Sequence, residues 1–232
     1  MTIALLCPTR GRPQEFKRMV QSLQGTVSQK VNLYVAIQGA GSAYETGSKE
    51  NVAVWPTNCP DWPTAFTWNR LAEEAMKNPD NKLFMLCADD VIFSTPLWDS
   101  WLLEDYAYLE NKIHCYHLRD SRNEDGTPHP IVTREWIEAT GWFLPPLFMH
   151  WFVDSWTVDI AKYCGAFTHM KDYLLIHDKP SDRGEGDETH NRIRQMGWHD
   201  RDKWTAEKCK YILEFEKQRM YKHFSQAARV VA

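Results

Sequence analysis

The sequence lacks the features that mark membrane proteins, exported proteins and proteins that coat nucleic acids. No apolar run approaches the roughly 20 residues that cross a bilayer. Pro8, Arg10 and Arg12 stand where a signal peptide would continue its apolar core. The formal net charge of −4 excludes a chain that is basic throughout. We therefore expect a protein with no membrane span and no export signal.

Cysteine is present, but not in the patterns that bind zinc or form a disulfide framework. The six cysteines include no CxxC pair. Cys7, Cys87 and Cys115 lie in apolar segments typical of strands, which favours buried free thiols. The cysteine pattern therefore predicts a reducing, cytoplasmic location.

Aromatic residues are abundant, at 13% of the chain with 11 tryptophans. A chain of 232 residues forms one domain, or one domain with a C-terminal extension, and can bury many rings. The surplus also predicts that one or two rings stack on a sugar or a base.

One stretch organises the rest of the chain: residues 82–93, which read KLFMLCADDVIF. Its apolar run, residues 83–87, is typical of a strand buried on both faces of a parallel sheet. Asp89 and Asp90 follow directly, and two adjacent carboxylates are costly to bury without a partner. Because α/β proteins build their sites at the carboxyl ends of strands, the pair indicates either a divalent cation site or a simple turn.

The flanking segments predict an α/β fold with a mostly parallel sheet. Residues 2–7 and 31–37 read as strands on either side of a helix that begins at Pro13, which gives a parallel β-α-β unit. Further helices are predicted at 63–76, 95–109 and 200–226, and further strands at 51–55, 113–118 and 173–176. Residues 132–139 are predicted to be irregular.

Several polar residues fall where such a sheet would bring them together. They are Arg10 and Arg12 after the first strand, Asp89 and Asp90, Asp154, and His177. A carboxylate pair with a distant histidine suits one divalent cation, whose open positions would take a diphosphate. Asp154 stands among aromatic residues (WFVDSW), where desolvation would raise its pKa and suit a general base; the alternative is a helix N-cap.

These motifs resemble those of small glycosyltransferases with the GT-A fold, similar to family 2 enzymes. Residues 7–13, CPTRGRP, are similar to the PTRxRP start of that family, where the end of the first strand lines the nucleotide pocket. Asn69 matches the Asn of the family's AxN pattern. Asp89 and Asp90 stand at its DxD metal motif, and His177 stands where many GT-A enzymes have a metal-ligand histidine.

The resemblance implies a metal-dependent enzyme that moves a hexosyl or pentosyl group from a nucleotide-sugar, UDP-linked, to an acceptor hydroxyl with inversion. The implied donor-binding residues are Pro8, Thr9, Arg10, Arg12, Gln38, Asn69, Asp89 and Arg183, with Lys179 as an alternative to Arg183. Mn²⁺ or Mg²⁺ would be held by Asp90, Asp89 and His177. Asp154 would be the catalytic base, and Trp151 and Trp156 would bind the acceptor.

The sequence departs from the family pattern at two positions. The second strand ends in Gln38, where the family usually has a carboxylate that reads the nucleotide base. The metal motif is ADD and not a strict DxD, which makes Asp90 the preferred single ligand.

Residues 191–232 are predicted to be a basic helical extension packed on the GT-A domain of residues 1–190. From Arg192 onward this segment has ten Lys or Arg and five Asp or Glu, which suits an anionic acceptor. The chain here resembles phage-encoded glycosyltransferases that decorate hydroxymethylated DNA bases, which implies DNA as acceptor and the cytoplasm of a bacterial host. The alternatives are a saccharide or lipid-linked glycan as acceptor, and an ordinary solvated helix.

Two other classes would share the fold. A nucleotidyltransferase would carry a glycine-rich phosphate loop after the first strand, where this chain has only Gly11. A non-catalytic nucleotide-sugar-binding protein would keep the aromatic residues without needing Asp89, Asp90 and His177.

Overall fold

The computed structural model of the chain describes residues 1–39, 44, 48–49, 51–60, 62–122, 128–179, 184 and 188–230. The elements in these ranges are β1 (Thr2–Thr9), α1 (Pro13–Thr26), β2 (Val31–Gln38), β3 (Val52–Cys59), α2 (Thr64–Met76), β4 (Asn81–Leu86), β5 (Val91–Phe93), α3 (Trp98–Tyr108), β6 (Cys115–Asp120), β7 (Ile131–Thr133), α4 (Arg134–Thr140), α5 (Val153–Cys164), β8 (Phe167–His177), α6 (Glu188–Gln195), α7 (Trp198–Lys208) and α8 (Lys210–Val230). The predicted α/β class is confirmed.

Within the described part of the chain, the strands form one eight-stranded sheet in the order β3-β2-β1-β4-β7-β6-β8-β5. β1 pairs in parallel with β2 and β4, and β2 pairs in parallel with β3. β7 runs antiparallel to both β4 and β6, and β6 is parallel to β8, so β4, β6 and β8 share one direction. The carboxyl ends of β1, β2, β4, β6 and β8 therefore lie at one edge, beside the residues that precede β7.

Helices cover both faces of this sheet and create two hydrophobic cores. On one face, Phe16 of α1 and Trp98 of α3 pack against the strands. On the other, Trp68, Trp136 and Trp156 of α2, α4 and α5 do so, and α8 joins them. Burial on both faces explains why β1, β2 and β4 read as continuous apolar runs and not as alternating ones.

The C-terminal part differs from the single helix predicted at 200–226. It forms α6, α7 and α8, with a turn at Cys209 (φ −98°, ψ 18°) between the last two. Neither proline nor glycine marks this turn in the sequence. It follows from packing, because α8 lies along α5 while Asp202 of α7 is hydrogen-bonded to the loop before α5. Tertiary contacts thus override helix propensity.

Residues 132–139, predicted to be irregular, are also regular. They belong to β7 and to α4, where the hydroxyl of Thr133 accepts a hydrogen bond of 3.2 Å from the backbone N–H of Trp136 and caps the helix. Among the helices that the structure describes, none combines the length and apolar composition needed to cross a bilayer.

Candidate active site

A cleft of about 430 Å³ opens at the edge where the carboxyl ends of the strands meet. The predicted site residues that line it are Pro8, Thr9, Arg10, Arg12, Gln38, Asp89, Asp90, Trp151, Asp154, His177 and Lys179. Thr9 ends β1, Gln38 ends β2 and His177 ends β8. The sheet topology thus gathers into one cleft residues that lie far apart in the sequence.

Arg12 lies between the two aspartates that follow β4. Its Nη1 donates to Oδ1 of Asp89 at 3.1 Å and to Oδ2 of Asp90 at 3.2 Å, and all three side chains are largely buried. The other oxygen of Asp89, Oδ2, accepts a 2.7 Å hydrogen bond from Thr9 Oγ1. Asp89 therefore has both oxygens engaged, whereas Oδ1 of Asp90 has no hydrogen-bond partner among the described residues.

The two aspartates differ in acidity. Burial and the charge of Asp90 raise the pKa of Asp89 to about 7, although Arg12 works against this. Burial also disfavours ionised Asp90, but the neighbouring imidazole of His177, with Arg12, outweighs it and lowers the pKa of Asp90. Near neutral pH, Asp90 is therefore the carboxylate with a fixed negative charge.

His177 lies between Asp90 and a third carboxylate, Asp120 at the end of β6. Its Nε2 is 3.5 Å from Oδ1 of Asp90, and its Nδ1 is 3.5 Å from Oδ2 of Asp120. Burial opposes protonation of the ring, but the two carboxylates prevail and raise the pKa of His177. His129, just before β7, adds a second imidazole, with Nε2 3.9 Å from Oδ2 of Asp120.

Asp154 and Trp151 lie on the wall of the cleft where α5 begins. Phe152 is the N-cap residue of α5, with φ 68°, so Asp154 belongs to the first turn and does not take the N-cap position considered above. Its Oδ1 accepts a 2.8 Å hydrogen bond from the N–H of Ser155. Burial outweighs this bond and raises the pKa of Asp154. Asp154 thus combines a position in the cleft with the basicity of a proton acceptor.

Gln38 contributes to the cleft and also ties it to α2. Its Nε2 donates to the backbone oxygen of Trp62 and to Oγ1 of Thr67, both at 3.1 Å. Lys179, which follows β8, lines the cleft as well. Arg183, the other predicted donor contact after β8, lies outside the described residues.

Asn69 and Trp156 are not among the residues that line the cleft. Oδ1 of Asn69 accepts hydrogen bonds from the backbone N–H groups of Phe143 (3.1 Å) and Leu144 (2.9 Å), which ties α2 to the segment after α4. Trp156 is buried, with its ring centroid 4.9 Å from that of Phe148. Both side chains are engaged in packing, so neither enters the proposals below.

Two lining residues, Asp120 and His129, are not predicted from the sequence. The signal for Asp120 is its place at the end of an apolar strand, as for Asp89 and Asp90. His129 precedes a three-residue antiparallel strand that the apolar pattern does not reveal. Only the pairing of β7 between β4 and β6 brings it to this edge.

A buried carboxylate on α7 holds the loop that leads into α5. Asp202 is fully buried, and its Oδ1 accepts from the N–H of Met149 at 2.8 Å. Its Oδ2 accepts from the N–H groups of His150 and Trp151, at 2.8 and 2.9 Å. Such charge-assisted hydrogen bonds are strong. The C-terminal segment thereby shapes the wall that carries Trp151 and Asp154.

Asp202→Ala is expected to lower the free energy of unfolding by about 3–5 kcal/mol, because three backbone N–H groups lose their buried acceptor at a cost of about 1–3 kcal/mol each. Urea denaturation measures the change. Asp200→Ala is the matched control, because Asp200 lies on the same helix with a side chain that is 93% exposed. Its effect should stay within about 0.5 kcal/mol. Equal effects of the two substitutions would contradict the assigned role of Asp202.

The sheet order, the flanking helices and the position of the cleft define the GT-A fold. No protein-family model and no curated protein sequence matches the chain. Among solved structures, the fold is similar to that of S. aureus TarS. The structure of TarS 1-349 aligns with a TM-score of 0.53 and 10% identity, over 79% of this chain and 62% of that one.

Two further TarS structures give the same result. TarS 1-349 in complex with UDP aligns with a TM-score of 0.53 and 11% identity, over 79% of this chain and 62% of that one. Another TarS structure aligns with a TM-score of 0.52 and 12% identity, over 79% and 38% of the two chains. This chain thus spans less than two thirds of the TarS chains. At such identities the likeness shows a shared fold.

Proposed function

We propose that the protein is a glycosyltransferase that moves a sugar from a nucleotide-sugar, a UDP-sugar in the first instance, to an acceptor hydroxyl. The observation that carries the proposal is the convergence of Arg12, Asp89, Asp90 and His177 in one cleft of a GT-A fold. The likeness to TarS supports a nucleotide-linked donor, because TarS 1-349 has been solved in complex with UDP.

The diphosphate of the donor would lie between the end of β1 and the residues that follow β8. Arg10, Arg12 and Lys179 all line the cleft. Arginine binds phosphate oxygens through two parallel N–H donors. A bound diphosphate would therefore compete with Asp89 and Asp90 for Arg12. Arg183 belongs to the same proposal as a further phosphate contact.

The residues present at Asp90 and His177 fit a divalent cation, for which the family resemblance implies Mn²⁺ or Mg²⁺. Oδ1 of Asp90 is buried, has no hydrogen-bond partner among the described residues and faces Nε2 of His177. Both oxygens of Asp89 are already engaged by Arg12 and Thr9, so Asp89 would contribute mainly by orienting Arg12. When bound, the cation would stabilise the negative charge of the departing diphosphate.

Asp154 would act as the catalytic base. Its carboxylate would take the proton of the acceptor hydroxyl while the hydroxyl oxygen attacks the anomeric carbon. The bond from that carbon to the donor phosphate breaks, and the nucleoside diphosphate leaves with the bonding electrons. A single displacement of this kind inverts the anomeric configuration.

The acceptor would enter beside Trp151, whose ring is half-buried and makes edge contacts with His150 (4.6 Å between centroids) and His199 (5.0 Å). An aromatic face of this kind stacks on a sugar or on a base. The DNA hypothesis rests on the basic C-terminal segment. Part of its charge is used internally, because Arg219 donates to the backbone oxygens of Ala139 and Thr140.

Salt dependence of transfer separates the two acceptor classes. Binding to a DNA acceptor weakens steeply with salt because counterions are released when lysine and arginine neutralise phosphates. Binding to a neutral glycan lacks this contribution. Transfer to hydroxymethylated DNA and to glycan acceptors, each measured across a salt series, identifies the class.

The donor proposal is tested by thermal unfolding with a panel of nucleotide-sugars, each with and without Mn²⁺. A ligand at 100 times its Kd adds about 2.7 kcal/mol of stability, so a UDP-sugar that binds the cleft should raise Tm by several degrees. Arg12→Ala should remove most of this shift. Arg70→Ala, an exposed arginine on α2, should keep it. Absence of stabilisation by every nucleotide-sugar would contradict the proposal.

Two assays separate the competing classes on the same fold. A glycosyltransferase releases the nucleoside diphosphate from its donor, slowly even without acceptor, because water can replace the acceptor hydroxyl. A nucleotidyltransferase releases pyrophosphate from a nucleoside triphosphate. A non-catalytic binding protein is stabilised by the nucleotide-sugar and releases neither.

A further inference from the structure

A cluster of buried polar atoms surrounds His177 and extends beyond the two aspartates already described. Oδ1 of Asp90, Oδ2 of Asp120 and Nε2 of His129 are all buried, and none has a hydrogen-bond partner within the described part of the chain. Ligand atoms of Asp120, His129 and His177 lie within 4.8 Å of one another. Three unsatisfied buried atoms around one imidazole are costly unless a charged group joins them.

The hydrogen bond between His129 and the backbone of Leu86 fixes the tautomer of the ring. It therefore determines which ring nitrogen has a lone pair directed at the cluster. Its Nδ1 is 3.3 Å from the backbone oxygen of Leu86, which can only accept, so Nδ1 carries the hydrogen. In the neutral ring Nε2 then keeps its lone pair and faces Oδ2 of Asp120 at 3.9 Å. Imidazole ligands of metals commonly have this arrangement, with one nitrogen donating to a carbonyl and the other binding the cation.

The backbone conformation of His129 is unfavourable, which suggests that the orientation of its ring serves a function. Its φ of 60° lies in the left-handed region, which a histidine adopts at some cost. His129 is also almost fully buried. This conformation places the ring between Leu86 and Asp120, where it satisfies one nitrogen and leaves the other directed at a carboxylate.

We propose that Asp120, His129 and His177, which lie beside Asp90, form a binding site for a first-row transition-metal dication such as Mn²⁺ or Co²⁺, and that Mg²⁺ binds there poorly. Ligand atoms about 2.1 Å from a cation stand about 3–4 Å apart, so Asp120, His129 and His177, whose ligand atoms lie within 4.8 Å of one another, need only a small contraction. Two imidazoles favour transition metals, whereas Mg²⁺ prefers oxygen ligands and retains water. A role of this cation in sugar transfer rests on the proposed function; its binding does not.

The test uses the full chain, stripped of metal by a chelator and free of nucleotide. Co²⁺ is titrated with visible absorption as the readout, because d–d bands report nitrogen and oxygen ligation. Mn²⁺ and Mg²⁺ are titrated by calorimetry. We expect Co²⁺ and Mn²⁺ to bind the wild-type chain and Mg²⁺ to bind at least about 10-fold more weakly.

His129→Asn and Asp120→Asn identify the ligands. Asparagine tolerates positive φ, so His129→Asn should fold, and circular dichroism melting verifies folding of every variant. Each substitution should weaken Co²⁺ and Mn²⁺ binding at least about 10-fold. Even residues that only support a metal ligand cost about 10-fold or more in affinity when they are replaced. His223→Asn on α8 and Asp172→Asn on β8, both exposed, are the matched controls and should bind like the wild type.

Two results would overturn the inference. One is a folded wild-type chain that binds neither Co²⁺ nor Mn²⁺, which would make the cluster a protonated His177 bridging two carboxylates. The other is unchanged affinity in both His129→Asn and Asp120→Asn. Metal binding without stabilisation by any nucleotide-sugar would leave the site in place and reject the proposed function. If a nucleotide-sugar stabilises the protein but both variants bind metal as the wild type does, the metal site is rejected and the proposed function stands.

Discussion

Asp90→Ala is expected to reduce sugar transfer by more than about 100-fold. Asp90 is the ionised member of the aspartate pair, and its Oδ1 is the buried oxygen that faces His177. Residues that only support a metal ligand cost about 10- to 100-fold in affinity or activity when they are replaced, so loss of a direct ligand should cost more. The rate is measured with the donor that the thermal panel identifies.

The same substitution should leave the protein folded. Arg12 keeps its contact with Asp89, and His177 keeps its contact with Asp120. Removal of Asp90 also relieves the repulsion that helps to raise the pKa of Asp89. Asp172→Ala removes an exposed carboxylate from β8 and should transfer sugar at the wild-type rate. A folded Asp90→Ala enzyme with normal turnover would exclude Asp90 as a cation ligand.

The sheet and half of the site could be predicted because local pattern and global topology agree there. Continuous apolar runs identify β1, β2 and β4 as strands buried on both faces, and parallel strands bring their carboxyl ends to one edge. Pro8, Thr9, Arg12, Asp89, Asp90 and His177 all follow or end such runs, and all line the cleft. Whether each binds what the resemblance implies stays a prediction.

The rest could not be predicted because it depends on long-range contacts that leave little local signal. β7 has three residues, and its antiparallel insertion alone carries His129 to the site. Asp202 reads as one more charge in a basic helix, yet it accepts three backbone hydrogen bonds from a loop some fifty residues earlier. Asn69 is the opposite case: the sequence motif suggests a donor contact, but it does not reveal that the side-chain oxygen accepts hydrogen bonds from the backbone of Phe143 and Leu144.

Asp154→Asn is expected to lower kcat by about 10²–10⁴-fold, the usual contribution of a general base, while donor binding stays unchanged. Asparagine has nearly the same shape, and its Oδ1 can still accept the hydrogen bond from the N–H of Ser155. Donor affinity is measured by calorimetry and kcat by release of the nucleoside diphosphate with acceptor present. Asp159→Asn, an exposed aspartate on the same helix, is the matched control and should change neither quantity.

The raised pKa of Asp154 provides a second readout, in the pH dependence of stability and of the transfer rate. Burial raises this pKa in the folded state above the unfolded value of about 4, so the folded chain binds the proton more tightly. The stability that this provides is fully present below the unfolded pKa and is lost as pH rises through the folded pKa. Asparagine has no such proton to lose, so Tm of Asp154→Asn relative to the wild type should increase from pH 4 to pH 8.

Over the same range the wild-type rate should rise as the base ionises, whereas the residual rate of the variant should lack that step. A collapse of donor binding, with a wild-type rate that shows no ionisation step, would instead make Asp154 a structural residue.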